Sequence, residues 1–383
     1  MLARCLAGDP PASLPPALLE EACDSALFSV LVEGLADRFE PALCDAYVRL
    51  FAKAIAQAAG EYDAALLETR YRRVRSPRAV AVDPQCVFVL SRITLGADVA
   101  VTSVLLDAAK RRFPRARIVF VGPLKNYELF AGDCRLEHAP IVYRRGTLAS
   151  RLAVWRELRT MCSVADSLVL DPDSRLTQLG LLPICPDGRY HLFESRAYGG
   201  DSSQPLPALA ADWARETLGV EGARPYFALA PSPPRPPGIT VSVGVGENPA
   251  KRLPDPFEEK LMALLAATGL PLTIDKGAGG EEAARVERAC SRAGIQAEFW
   301  EGSFAGFAAI IAGSRLYAGY DSAGQHVAAA AGVPLISIFA GFPSPRMFDR
   351  WRPTTPGAQV IRVDYPDVEA TLAQVHQALA SVL

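Results

Sequence analysis

The segment Tyr320-Asp321-Ser322-Ala323-Gly324-Gln325-His326, continued by Val327–Gly332 and Val333-Pro334-Leu335-Ile336-Ser337-Ile338-Phe339, decides the fold of this chain. It reads as a strand end, a tight polar turn, a short Ala-rich helix and a second buried strand. Such a junction points backbone N–H groups and the positive end of a helix dipole out from the strand edge, which suits a phosphate. An ordinary β-α junction with a capping Asp reads the same way locally, so the flanking pattern has to choose.

Working outward, Ile239–Val245, Leu272–Asp275 and Arg315–Tyr320 read as strands. Helical spacing covers Phe257–Thr268, Phe304–Ala312, the stretch after Gly277–Glu282, and an amphipathic Asp367–Val382. Strands alternating with helices predict a parallel, doubly wound sheet, whose ligands sit beyond the carboxyl ends of the strands. Three loops leave such ends: Gly246–Arg252, Gly277–Glu282 and Asp321–His326. Lys251 and Arg252 supply positive charge, Gly277 allows close backbone approach, and Glu281 is suited to accept from ribose hydroxyls.

The same alternation runs through the first half. Val87–Ser91, Arg117–Gly122 and Ser167–Leu170 read as strands and Ala97–Phe113 as a helix. The turn Ser91–Asp98 again joins strand to helix. Its Asp98 suits either the first helical turn, favoured by the dipole, or a general base facing a ligand. Asp171-Pro172-Asp173 reads as a strand-ending turn rather than a metal-binding pair, because the central Pro restricts how the carboxylates converge. Residues 1–79 lack strand patterns. They show helical spacing at Leu18, Leu19, Ala22 and at Phe28, Leu31, Val32, Leu35, with further apolar runs at Leu43–Ala58 and Tyr62–Leu67. Their closing basic run Arg70–Arg75 reads as a solvated helix end or linker. Pro231–Gly238 holds five prolines in eight residues and reads as a semi-rigid connector. The expected organisation is a helical region over 1–79, a Rossmann-like domain over 80–230 and a second over 231–383.

Composition bounds the function. The 383 residues exceed the roughly 250 that one core usually serves. Half are hydrophobic, and 40 basic against 42 acidic residues leave a net charge of −2, which argues against nonspecific nucleic-acid binding. The eight cysteines have no metal-ligand spacing, which predicts reduced, mostly buried thiols. Leu2–Ala7 is too short for a signal-peptide core, and no apolar stretch nears the about 20 residues of a membrane span. A cytoplasmic protein is expected.

These phrases together resemble the family 9 glycosyltransferases, the ADP-heptose:lipopolysaccharide heptosyltransferase group. Thr94-Leu95-Gly96-Ala97-Asp98-Val99 and Lys110–Ile118 are similar to the family's Leu-Gly-Asp turn and the basic-Phe-Pro phrase after it. Lys251-Arg252-Leu253-Pro254 is similar to its Lys-Arg-Trp-Pro, and Gly277–Glu281 to its Gly-x-x-x-Glu loop. Asp321–Pro334 follows its Asp-Thr-Gly-x-x-His-x-x-Ala-x-x-Gly-x-Pro signature, continued by Gly341–Arg346. The likeness covers about residues 84–383. Four departures stand out: Ala97 is inserted before Asp98, Ala323 replaces a Gly, Leu253 replaces a Trp, and Gly302 stands where the family carries a larger residue under adenine.

The resemblance implies the GT-B fold: an α/β chain with two Rossmann-like doubly wound domains facing a cleft, here preceded by an all-α N-terminal region. It implies an inverting, metal-independent glycosyltransferase of bacterial glycan biosynthesis that needs no cofactor. A heptose or related hexose would pass from a nucleotide-diphosphate sugar to the hydroxyl of a glycan, lipid-linked or protein acceptor. Asp98 would deprotonate that hydroxyl, Lys251 hold the donor phosphates and Glu281 the ribose. Asp321 would bind donor-sugar hydroxyls, while Ser322 and the N–H groups of Ala323 and Gly324 cradle the diphosphate. His326 would support the turn from behind. The alternatives are a nucleotide-sugar epimerase or hydrolase on the same fold, and a non-catalytic GT-B scaffold. Residues 1–79 would recognise the acceptor, mediate oligomerisation or pack as a brace.

Overall fold

Cys86-Val87-Phe88-Val89-Leu90, Leu316–Tyr320 and Leu335–Ala340 are buried along their whole length. Runs buried on both faces belong in parallel sheets covered by helices on each side. The computed structural model describes residues 2–9, 11, 27, 28, 32–143, 146–231, 236–246, 248–277 and 279–383. It contains two such sheets, one in each of two units. The first unit comprises Met1–Tyr127, Asp133–Pro225 and Pro343–Arg350; the second holds the rest. Ser232–Arg235 of the expected connector, the helical spacing at Leu18, Leu19, Ala22 and Leu31, and the loop residues Glu247 and Ala278 lie outside the described residues.

The first unit begins with helices α1 (Leu2–Leu6), α2 (Glu33–Ala36), α3 (Pro41–Ala59) and α4 (Ala64–Val74). There follow β1 (Cys86–Leu90), α5 (Leu95–Ala97), α6 (Ser103–Arg112), β2 (Arg117–Gly122), α7 (Leu124–Tyr127), β3 (Leu136–Pro140), α8 (Leu148–Met161), β4 (Ser167–Asp171), β5 (Tyr190–Leu192) and α9 (Leu206–Leu218). All pairings are parallel in the order β3-β2-β1-β4-β5, so the order reverses at β1. The N-terminal helices share this unit's core: Leu43, Tyr47, Phe51 and Ile55 cluster with Trp155, Leu158 and the inner face of the sheet. The Tyr47 hydroxyl donates to the Gln178 carbonyl at 3.0 Å.

Two expectations are refined here. The basic run at the end of α4 is only half solvated: Arg72 and Arg73 are exposed, whereas Arg70, Tyr71 and Val74 share the helix's buried face. Arg70 donates to Asp187 at 2.8 Å and to the Gly180 carbonyl at 3.0 Å, and Arg75 reaches Asp45 at 2.6 Å and Glu194 at 3.2 Å. The helix expected over Ala97–Phe113 is present, with a π-turn, Asp98–Thr102, inside it between α5 and α6. A π-turn absorbs one extra residue in a helix. The inserted Ala97 directly precedes it.

The second unit contains β6 (Ile239–Ser242), α10 (Phe257–Ala266), β7 (Leu272–Asp275), α11 (Gly280–Ala293), β8 (Glu298–Trp300), α12 (Phe304–Ala312), β9 (Leu316–Tyr320), α13 (Ala323–Ala331), β10 (Leu335–Ala340), β11 (Ala358–Val363) and α15 (Val368–Val382), while α14 (Pro345–Trp351) falls almost wholly in the first unit. Its parallel order β11-β10-β9-β6-β7-β8 reverses at β6. No helix among the described residues is long and apolar enough to cross a membrane.

Buried charge ties the first unit together at the carboxyl ends of β4 and β5. Arg196 pairs with Asp173 and donates to the Ala36 carbonyl at 3.1 Å, which fixes the end of α2 on the sheet. Replacing Arg196 with Met is expected to cost about 3–5 kcal/mol, because the Asp173 carboxylate then lacks its main compensation. Chemical denaturation checks this, and adding Asp173→Asn should return part of the loss.

Candidate active site

Reversal of the strand order at β6 sends the chain away from β6 to one side and back at β9 on the other, which opens a crevice between their carboxyl ends. The loop after β6 places Lys251 there and the loop after β9 places Asp321. Lys251 Nζ donates to the Asp321 carboxylate at 2.7 Å and to its carbonyl at 3.1 Å. Asp321, 5% exposed, also accepts from the Gln325 amide, which in turn accepts from the Ser337 hydroxyl on β10. Ser322 opens α13 in extended conformation and makes no side-chain capping bond. The first amides of α13, at Ala323 and Gly324, thus have no side-chain cap. The Ser322 hydroxyl lies 3.3 Å from that of Tyr317, which packs beneath the turn. A Cβ at Gly324 would overlap the Tyr317 ring and hydroxyl, so glycine is required where the helix starts over that ring.

His326 faces inward from α13, its ring 5.5 Å from that of Trp351, and burial holds its pKa down at about 4. It is a neutral packing residue behind the turn. Arg252 corrects the expectation that both members of the Lys-Arg pair face a donor. It turns away, donating to Glu258 at 3.2 Å and pairing with Asp255. Adjacent residues at the end of a short 3₁₀ turn, Pro249–Lys251, project in different directions.

The acidic loop also shifts by one residue. Glu281 is exposed, whereas the Glu282 carboxylate borders Gly277 and lies 2.8 Å from where a Gly244 Cβ would stand. Gly277, Gly279 and Gly280 all have left-handed φ, and the phase at which α11 starts is set by them. One residue turns a helix by about 100°, enough to exchange which glutamate faces inward. Beside Glu282, Asp275 at the end of β7 accepts from Gly277 N at 3.0 Å and from Ser242 Oγ at 3.2 Å. Burial raises the Asp275 pKa.

In the first unit, Asp98 stands beyond the end of β1 but is 0% exposed. Its carboxylate accepts from Ser91 Oγ, Thr102 Oγ1 and Asn126 Nδ2, each at 2.6 Å, and from Arg92 N at 2.7 Å. Burial raises its pKa, against the lowering effect of these four donors. This corrects the picture of a carboxylate facing a ligand: Asp98 is the hub of a closed network. Asp171 and Asp173 are likewise turned inward, to Thr177 and Tyr190 in one case and to Ser195 and Arg196 in the other. Among the described residues, no group of three or more His, Cys, Asp or Glu side chains could hold a metal ion.

Residues 244–375 match the family described as glycosyltransferase family 9 (heptosyltransferase). The chain carries a glycosyltransferase family 9 domain. The match takes in every donor-side residue expected from the sequence, while Asp98 lies outside it. No curated protein matches the chain significantly. Among solved structures, a family 9 glycosyltransferase from Veillonella parvula is 14% identical over 80% of this chain and 92% of its own, with a TM-score of 0.57. E. coli heptosyltransferase WaaC, solved with ADP-2-deoxy-2-fluoro heptose, is 16% identical over 77% and 99%, with a TM-score of 0.59. E. coli ADP-heptose lps heptosyltransferase II is 18% identical over 77% and 98%, with a TM-score of 0.54. At these identities the likeness is one of fold, and that fold is GT-B.

Ser242, Asp275, Glu282 and Tyr317 also border the crevice; of these only Glu282 falls in a loop that the sequence marks. Asp275 ends a predicted strand, which was the available signal; Tyr317 lies inside a buried strand and gave none. Two outcomes test this geometry. Gly324→Ala should lower stability by about 1–3 kcal/mol, read by thermal unfolding, because the added methyl has no room. His326 is neutral when folded and has an ordinary pKa when unfolded, so its contribution is complete above about pH 6.5 and is lost as pH falls towards 4. His326→Gln should therefore flatten the acid limb of the stability–pH curve by on the order of 3 kcal/mol.

Proposed function

We propose that this protein transfers a heptose or related hexose from a nucleotide-diphosphate donor to an acceptor hydroxyl, with inversion and without a metal ion. The observation that carries the reading is Lys251, bridged to Asp321 beside the uncapped start of α13. A diphosphate there meets one ammonium and a fan of backbone N–H groups, donors that need no reorganisation as the leaving diphosphate gains charge. Asp321 and Ser322 would orient donor-sugar hydroxyls, and Asp275 with Glu282 would hold the ribose. The family's description and the printed name of the WaaC complex support a heptose carried on ADP. The cytoplasm is the proposed compartment; the described cysteines are free thiols.

Asp98 is the proposed base. It serves once Asn126 or Ser91 yields its place to the acceptor hydroxyl, and the raised pKa makes it a stronger base than an exposed carboxylate. The attack forms the new glycosidic bond as the bond to the diphosphate breaks, and the hydroxyl proton passes to Asp98. One observation favours the scaffold alternative: all near partners of Asp98 are donors, which suits a purely structural carboxylate.

The two readings separate in one pair of assays. Lys251→Ala should weaken nucleoside-diphosphate binding at least tenfold by calorimetry and cut transfer by about 10²–10³. Asp98→Asn should keep that binding and lose transfer. Unchanged binding in Lys251→Ala would remove the donor site, and normal turnover by Asp98→Asn would remove the base.

A further inference from the structure

We infer that the Trp300 indole is the platform on which the nucleobase of the donor stacks, so that it sets base preference in this chain. This rests on the donor reading above and deepens it. Four strand ends stand in a row in the order β9, β6, β7, β8. Each presents a different chemistry. At β9 lie Ser322 and the α13 amides, at β6 Ser242 and Gly244, at β7 Asp275 with Glu282 beside it, and at β8 Trp300 itself. With strands about 4.8 Å apart, the row from the β9 turn to Trp300 spans about 14 Å. That is the reach of an extended nucleoside diphosphate, whose parts run in the matching sequence: anion, hydroxyl-bearing ribose, flat base.

The ring packs against two glycines. Its six-membered edge, at Cζ2, lies 2.9 Å from where a Cβ of Gly302 would stand and 2.5 Å from that of Gly306. Both glycines flank Ser303, whose hydroxyl caps α12 by accepting from Gly306 N at 3.1 Å. The Trp300 carbonyl accepts from Lys276 N at 3.1 Å, fastening the ring's backbone to the loop that follows β7. Two absent side chains make room for the indole against the start of α12, and the residue keeps part of its surface exposed. A large aromatic face of this kind takes bases by stacking, most strongly those with the larger ring system.

Calorimetry on the full-length protein with ADP, GDP, UDP, CDP and inorganic pyrophosphate tests this, with wild type, Trp300→Phe, Trp300→Leu and Lys251→Ala compared. Trp300→Leu, which keeps apolar bulk for packing, should bind the preferred nucleoside diphosphate about ten- to a hundredfold more weakly. It should bind pyrophosphate as wild type does and lose most of the purine-over-pyrimidine difference. Trp300→Phe should recover much of both. The preferred nucleotide should quench tryptophan emission more strongly in wild type than in Trp300→Phe, and equally in wild type and Trp351→Phe; Trp155 and Trp213 are buried in the first unit, and Trp351 lies behind the donor turn against His326. Equal nucleotide affinity in Trp300→Leu and wild type would overturn the platform while leaving the donor site, judged by Lys251→Ala, intact. Failure of wild type to bind any of the four nucleotides would overturn the donor reading, and the platform with it.

Discussion

Lys251 and Asp321 are 70 positions apart in the chain and 2.7 Å apart in space. That contact exists because the sheet of the second unit starts at its centre, at β6, runs outward to β8 and returns at β9 on the other side. Right-handed crossovers leave no cheaper way to build a parallel sheet in both directions from one strand. The consequence is two neighbouring strand ends whose following loops diverge, and a crevice lined by a lysine from one and a helix start from the other. Everything assigned to the donor side hangs on that reversal.

The first sheet has the same reversal, at β1, but it is occupied differently. Its crevice is filled by the protein's own polar side chains: Asp98 with four donors, Ser174 bonded to the Ser91 carbonyl at 2.5 Å, and Arg92 reaching the Pro172 carbonyl at 2.5 Å and Ser195 at 2.9 Å. Burial draws the Arg92 pKa down to about 10 and pushes that of Glu194 up to about 8. Groups so far from water are costly to leave unpaired, which accounts for the density of this network. The N-terminal helices complete it, since Ala36 and Asp45 supply partners to Arg196 and Arg75. Of the three uses open to residues 1–79, packing as a brace is the one the first unit exhibits.

The alternation of buried runs with helical spacing was enough to read the α/β class, and most strands lie within one to three residues of where their apolar runs put them. The strands that were not legible, β3, β5, β8 and β11, are sheet-edge or short segments: β3 reads Leu-Glu-His-Ala-Pro and β8 Glu-Phe-Trp, half exposed and without a repeating pattern. In the site, Lys251, Asp321, Ser322 and Gly324 were legible because each sits in a loop at the end of a strongly patterned strand. Less legible were the directions of Arg252 and Glu281, which point away from the crevice, and the enclosure of Asp98 by four donors. One residue along a helix turns a side chain by about 100°, and glycine-led starts and a π-turn shift that phase here.

The sequence alone therefore determined the elements and the loops that carry polar side chains, because burial and helical periodicity are local properties of a run of residues. Which of those side chains meet was decided only by tertiary structure. The pairing of Lys251 with Asp321, the exchange of Glu282 for Glu281, the seating of Trp300 on two glycines and the enclosure of Asp98 all depend on strand order and helix phase. Those are set by packing between segments far apart in the chain, and no single segment encodes them.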